Sequence, residues 1–239
     1  MGTSYSPNIV KDGLVFQVDA ANPRSYPGSG TTTNDLIGPA EGTLAAGASF
    51  NSINLGAFQF DGIDDQINFG FSTSTNIANN TDLTIDAWIR YTSDTGGESL
   101  YPMIFTRRRA IQNQSSLTNY YLYLLDSTTS GERTIKFFSY YTDGTNTSDQ
   151  PVKINTWTHI SVTCRSGINN GTFIYKDTEQ VANFRSDIQG ASNCTTRIGD
   201  SPFSSNNFPG QIANVKLYNR ALSAAEVKQN YNATKARFR

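Results

Sequence analysis

The chain has 239 residues, a net charge of −1, and 37% apolar, 12% aromatic and only 16% charged side chains. That near-neutral balance provides no electrostatic footprint for nucleic acid or an anionic membrane, and argues against both as partners. A sizeable core must sit under a surface built mostly of Asn, Ser, Thr and Gly, a composition that suits strands and turns better than helices.

No apolar segment reaches the length of a transmembrane helix, and Met1-Gly-Thr-Ser-Tyr-Ser lacks the basic and apolar regions of a signal peptide. Cys164 and Cys194 are too few and too far apart for a disulfide framework, and both are expected to be reduced. Six Asn-x-Ser/Thr sequons (Asn79, Asn113, Asn146, Asn170, Asn193 and Asn232) are what chance supplies in so Asn- and Thr-rich a chain.

In chain order, residues 1–12 read as a polar N-terminal arm. Residues 14–19 form a first strand, with Leu14, Phe16 and Val18 on one face. Residues 20–47 are broken by Asn22-Pro23, Pro27-Gly28 and Gly38-Pro39 and read as a surface loop. The organising stretch is 58–91. Phe58 and Phe60, then Ile67 and Phe69, then Leu83, Ile85, Ala87, Ile89 and Tyr91 alternate as half-buried strands do. It reads as two antiparallel strands with a long connection, with Asp61-Gly-Ile-Asp-Asp65 as a turn in which carboxylates accept backbone N–H groups.

A loop at 92–98 precedes buried strands at 103–105, 120–125 and 134–141, and Asp143-Gly144 starts a turn. Residues 157–164 alternate, with Ile160, Val162 and Cys164 opposite Trp157 and His159. Asn169-Asn-Gly171 then marks a hairpin into 172–176. A short strand at 197–199 and a last one at 211–218, with Ala213, Val215 and Leu217 inward, lead to one helix. Ser223 is its N-cap and Glu226 the capping-box partner. The whole predicts a single all-β domain over 13–232, a two-sheet antiparallel sandwich with one short C-terminal helix, followed by a basic tail at 233–239.

Four segments stand in one order: 60–67 (Phe-Asp-Gly-Ile-Asp-Asp-Gln-Ile), 83–89 (Leu-Thr-Ile-Asp-Ala-Trp-Ile), 157–160 (Trp-Thr-His-Ile) and 208–226, which closes in Tyr218-Asn-Arg-Ala-Leu-Ser223. Together they resemble laminin-G-like members of the concanavalin A-like lectin/glucanase superfamily. The opening at 4–15 and 19–28 is similar to a subgroup found in tailed-phage virion proteins and bacterial surface proteins. The resemblance implies a jelly roll whose concave sheet, in many relatives, carries glycan or protein ligands. One departure is that relatives often have a tryptophan where Thr33 and Asn34 stand.

The expected function is that of a non-catalytic structural and interaction protein of a phage virion: a capsid decoration, head-fibre or tail-associated protein. Its termini would be anchoring arms ordered on assembly, and its partners other virion proteins and further copies of itself. The alternative is a carbohydrate-binding adhesin for host cell-surface glycan. An enzyme is not expected. Glucanase relatives use a Glu-x-Asp-x-x-Glu run, whereas Glu41, Glu98, Glu132, Glu179 and Glu226 are isolated.

Candidate sites each carry a plain alternative. Asp61, Asp64 and Asp65, joined by Asp19 or Asn22, would supply a calcium site of the kind some relatives have; the plainer reading is a hydrogen-bonded turn. Trp88, Arg90 and Asp86 share the even-numbered side of their strand and would suit a sugar stacked on the indole; the signature position of Trp88 favours packing. Tyr121, with the tyrosines at 120, 123, 140 and 141, would line a groove or form core and cross-strand pairs. His159 lacks a nucleophile and is read as structural.

Overall fold

The computed structural model describes residues 7–92, 101–109, 118–127, 129–139, 141–142, 148, 150–190, 193–202 and 206–238. The expected loop at 93–98 with Glu98, the sequons at Asn113 and Asn146, Tyr140, the Asp143-Gly144 turn, residues 1–6 and Arg239 lie outside the described residues.

The strands are β1 (Leu14–Asp19), β2 (Thr32–Asn34), β3 (Glu41–Ala45), β4 (Ser49–Asn51), β5 (Ala57–Asp61) and β6 (Gln66–Asn68). Then come β7 (Leu83–Tyr91), β8 (Met103–Arg109), β9 (Thr118–Asp126), β10 (Glu132–Ser139), β11 (Tyr141–Thr142) and β12 (Val152–Lys153). The last are β13 (Trp157–Cys164), β14 (Thr172–Lys176), β15 (Glu179–Phe184), β16 (Ser186–Asp187), β17 (Cys194–Ile198) and β18 (Pro209–Tyr218), followed by α1 (Ala224–Thr234). Short 3-10 turns lie at Ile53–Leu55 and Lys235–Phe238.

Two eight-stranded sheets pack face to face. The first runs β15-β14-β13-β7-β18-β5-β4, with β1 also paired to β18; the second runs β12-β10-β9-β8-β17-β6-β3-β2. All their pairings are antiparallel. Between them lies one core of Phe16, Phe58, Phe60, Ile85, Ile89, Phe105, Leu122, Phe137, Ile160, Val162, Cys164, Val215 and Leu217, among others. Burial of that apolar area is the main force holding the sheets together.

The expected sandwich is therefore present, and three local expectations change. Residues 58–69 and 83–91 do not pair with each other. β5 and β7 flank β18 in the first sheet, while β6 belongs to the second, so the turn at 61–65 carries the chain between sheets. Ala213 does not face the main core. A register irregularity between Ile212 and Asn214 turns it to the outer side, with Ala57 and Trp88. The loop expected at 20–47 contains β2, at the edge of the second sheet, and β3 beside it, short pieces whose turn residues hide the alternation.

The capping box forms as expected, with the Glu226 N–H donating to Ser223 Oγ and the Ser223 N–H donating to the Glu226 carboxylate at 2.9 Å. Both cysteines are free and buried, and burial pushes the Cys164 thiol up to about 12. The described parts of both terminal arms pack on the domain. Val10 is buried, its N–H donating to Asn230 Oδ1, and Phe238 lies against Trp88. Among the described residues no helix is long and apolar enough to cross a membrane.

Candidate functional site

The two outer faces of the sandwich differ, and the expected site residues divide between them. On the first sheet, the even-numbered side of β7 does point away from the core, but α1 covers it. Asp86 is fully buried and Trp88 is 3% exposed. The Asp86 carboxylate accepts Lys216 Nζ at 2.8 Å, His159 Nε2 at 2.9 Å and Asn230 Nδ2 at 3.3 Å. Burial alone would raise this carboxyl, but attraction and hydrogen bonds from Lys216 and His159 outweigh it and hold Asp86 well below the usual carboxylate range. Asn230 continues the network to the Tyr218 hydroxyl at 3.0 Å, tying helix to sheet.

Trp88 donates Nε1–H to Thr234 Oγ1 and stacks on Tyr231 and Phe238. Arg90, nearer the strand end, donates to Gln211 Oε1 and to the Asn155 carbonyl. The expectation of Asp86 and Trp88 on an open sugar-binding face is corrected: the C-terminal helix and tail occupy that face. The packing reading of Trp88 and the structural reading of His159 describe this region.

The second sheet turns a different chemistry outward. In β9, Tyr120, Leu122 and Leu124 face the core, so Tyr121 and Tyr123 face away. In β10, Ile135 and Phe137 face in, so Lys136 and Phe138 face out. Cross-strand register sets Tyr121 opposite Phe138 and Tyr123 opposite Lys136. The Tyr121 and Phe138 rings stack at 4.9 Å, Tyr123 lies 5.3 Å from Tyr121, and Tyr101 lies 5.9 Å from Tyr123. The Arg108 guanidinium sits 5.7 Å over the Tyr121 ring. Tyr101 is 41% exposed, and Tyr121 and Phe138 are half-buried. Burial raises the Tyr121 and Tyr123 hydroxyls and lowers Arg108 and Lys136 from their ordinary values. The result is a row of aromatic rings edged by two cations, and it holds one of the four expected ligand residues, Tyr121. Tyr123 was among the tyrosines expected to line a groove; Tyr101, Phe138, Arg108 and Lys136 were not singled out, although the alternation Tyr121-Leu-Tyr123 against Lys136-Phe-Phe138 carries the signal.

The acidic turn borders the same sheet. The Asn207 side chain donates to the Ile63 carbonyl, and the Asn206 carbonyl accepts Met103 N–H at the start of β8, two residues from Tyr101. The turn is itself hydrogen-bonded: Asp61 N–H donates to Asp65 Oδ2 and Ile63 N–H to Asp61 Oδ1, each at 2.8 Å. Gly62 takes φ +84°, and a Cβ there would meet Pro209 at 2.8 Å, so the turn requires glycine.

One carboxylate oxygen from each of Asp61, Asp64 and Asp65 lies within 4.8 Å of the others. That matches oxygens sharing a calcium ion at about 2.4 Å each. Asp65 is 3% exposed and its Oδ1 has no hydrogen-bond partner among the described residues. Burial, with Asp61 and Asp64 nearby, raises its carboxyl to about 6. These residues therefore fit a hard cation. Asp19 does not join them, because both its oxygens accept Arg237 Nη1, at 3.0 and 3.1 Å.

Two antiparallel sheets packed over one core, with a single C-terminal helix, make a concanavalin A-like sandwich. The chain belongs to the concanavalin A-like lectin/glucanases superfamily, whose family model matches residues 61–228. No curated protein matches the sequence.

Among solved structures it is similar to domain 4 of AbnA, a GH43 extracellular arabinanase from Geobacillus stearothermophilus in complex with arabinotriose. The TM-score is 0.63 at 14% identity, covering 93% of this chain and 100% of that domain. It is also similar to Trypanosoma rangeli sialidase in complex with sialic acid, with TM-score 0.65 and 13% identity, over 98% of this chain but 36% of the sialidase. The binding domain of Paraclostridial Mosquitocidal Protein 1 matches with TM-score 0.59 and 19% identity, over 92% of this chain and 52% of that one. At these identities the likeness is one of fold.

Proposed function

We propose that the protein is a non-catalytic carbohydrate-recognition module that binds glycan on the outer face of its second sheet. The observation that carries this reading is the row Tyr101, Tyr123, Tyr121 and Phe138 with Arg108 and Lys136 beside it. A pyranose or furanose ring offers an apolar C–H face to such rings and hydroxyls to the cations and phenols at their edge. That AbnA domain 4 has the same fold and was solved with arabinotriose supports the reading.

Calcium bound by Asp61, Asp64 and Asp65 would stiffen the rim of this face. The non-catalytic part rests on the carboxylates. The cluster lies in a turn, Asp65 is buried, and Asp65 and Asp61 each already accept a backbone N–H. The sequence also lacks the Glu-x-Asp-x-x-Glu run that glucanase relatives use.

A glycan array probed in calcium and again in chelator tests this. Selective binding that weakens in chelator is expected; no binding to any neutral or charged glycan would overturn it. Incubation with the bound glycans should release no reducing ends.

A second reading concerns where the module works. The likeness of residues 4–15 and 19–28 to tailed-phage proteins favours a place on a virion, as a decoration, head-fibre or tail-associated protein in several copies. Recognition and virion display are compatible, since a particle protein can hold host surface glycan. Antibody labelling of purified particles is the test, and particles that never carry the protein would rule this second reading out.

A further inference from the structure

The outer face of the first sheet holds a second built site, and the chain itself is its occupant. Strand residues form the receptor: Trp88 from β7, Trp157 from β13, and the small side chains of Ala57 and Ala213, which leave room above β5 and β18. Phe238 lies in this slot, its ring 4.2 Å from Trp88 and nearly parallel to it, and 4.8 Å from Trp157.

The preceding Arg237 is gripped as firmly. Its Nη1 donates to both oxygens of Asp19, its Nη2 to the Gly56 carbonyl at 3.0 Å and its Nε to the Asn54 carbonyl at 3.3 Å. The Asn54 side chain donates to the Arg237 carbonyl and accepts Trp157 Nε1–H. One guanidinium thus has a carboxylate and two carbonyls converging on it, next to an aromatic slot for the following residue.

The receptor parts come from five strands and one turn, so the sheet positions all of them except the turn carbonyls. The occupant is a single 3-10 turn at Lys235–Phe238 with no fully buried residue. The turn it grips is strained: Asn54 and Leu55 both have left-handed backbone, φ 53° and 70°, and the Leu55 side chain is 75% exposed. Arg237 bonds to the Asn54 and Gly56 carbonyls, within and just after that strained pair, so filling the slot and holding the turn are one event.

We propose that this face is a recognition slot for a short peptide segment in which arginine is followed by phenylalanine, and that Arg237-Phe238 is its resident, displaceable ligand. The partner it fits is a chain segment of that chemistry, read by Asp19 and the 54–56 carbonyls for the cation and by Trp88 and Trp157 for the ring. Held in cis, the resident segment acts at an effective concentration on the order of millimolar, so a competing segment gains access when the tail is withdrawn.

The chain has two tryptophans, and both line the slot, so their fluorescence reports it directly. A chain ending at Thr234, and as a second variant the full chain carrying Arg237→Ala with Phe238→Ala, should both show red-shifted emission. Millimolar capped Lys-Ala-Arg-Phe-Arg peptide should restore the emission of the full chain. Peptides with alanine in place of either the arginine before phenylalanine or the phenylalanine itself should be at least tenfold weaker. No spectral response in either variant would overturn the proposal, as would equal responses to the alanine peptides. Failure of both variants to fold would also overturn it, because the tail would then be part of the core.

Discussion

The two outer faces of this sandwich are built on the same alternation and end in opposite states. On the first sheet the outward residues of β7 and β18 are Asp86, Trp88 and Lys216, and they are closed over by α1 and the tail. On the second sheet the outward residues of β9 and β10 include Tyr121, Tyr123, Lys136 and Phe138, and Tyr101 beside them is 41% exposed. The first face buries a charge cluster beside stacked rings, and the second carries rings beside cations. A face's polarity therefore does not report its exposure: a buried charge is tolerated where a partner charge and hydrogen bonds are supplied, as Lys216, His159 and Asn230 supply them to Asp86.

If the first face is structural, breaking its charge cluster should give the largest loss of stability. Asp86→Ala leaves Lys216 buried without its carboxylate and should cost about 3–5 kcal/mol in denaturant unfolding. A loss under about 1 kcal/mol would mean that the network does not hold the helix in place. Next in size is the cap of that covering helix. Ser223→Ala removes half the capping box and should cost about 1 kcal/mol, read as a shift of the urea midpoint without a change in slope.

On the opposite face, Tyr121→Ala should cost about 1 kcal/mol, since it forfeits ring contacts with Phe138 and Tyr123 and one cation–π contact but no core volume. A loss as large as that of Asp86→Ala would make Tyr121 a structural residue and contradict the comparison.

A pH-dependent effect concerns the rim. The Asp65 carboxyl is raised to about 6 by burial, so its protonated form is favoured in the folded state. Its contribution is fully present below the unfolded value near 3.8 and is lost as pH rises through 6. In chelator the protein should therefore lose a few degrees of melting temperature between pH 4 and pH 7 from this group. Asp65→Asn should remove that dependence, raise the melting temperature in chelator at pH 7, and abolish any rise produced by calcium.

Much of the fold could be read from the amino-acid order. Leu14–Asp19 and Trp157–Cys164 alternate cleanly, and Ser223 with Glu226 marks the helix start, because these signals are local. What could not be read depends on partners distant in sequence. Nothing near Asp86 announces Lys216, 130 residues away, or Asn230, 144 residues away, and without them Asp86 and Trp88 look like a solvent-side pair suited to sugar.

The turn at 61–65 was legible as a turn but not as the crossing between sheets, since residues 58–60 and 67–69 continue the same alternation on both sides of it. Tyr121 was legible as an aromatic on a strand. Phe138 comes from β10 and Tyr101, which touches Tyr123, from the segment just before β8, so the row they form depends on contacts distant in sequence.

The most direct test of the account is a calorimetric titration of the best array glycan into three proteins in calcium: the unaltered chain, Tyr121→Ala and Arg90→Ala. The account predicts that Tyr121→Ala weakens binding about tenfold, the loss of one stacking surface, while Arg90→Ala binds as the unaltered chain does. Undiminished binding by Tyr121→Ala together with loss in Arg90→Ala would place recognition on the first sheet and contradict it.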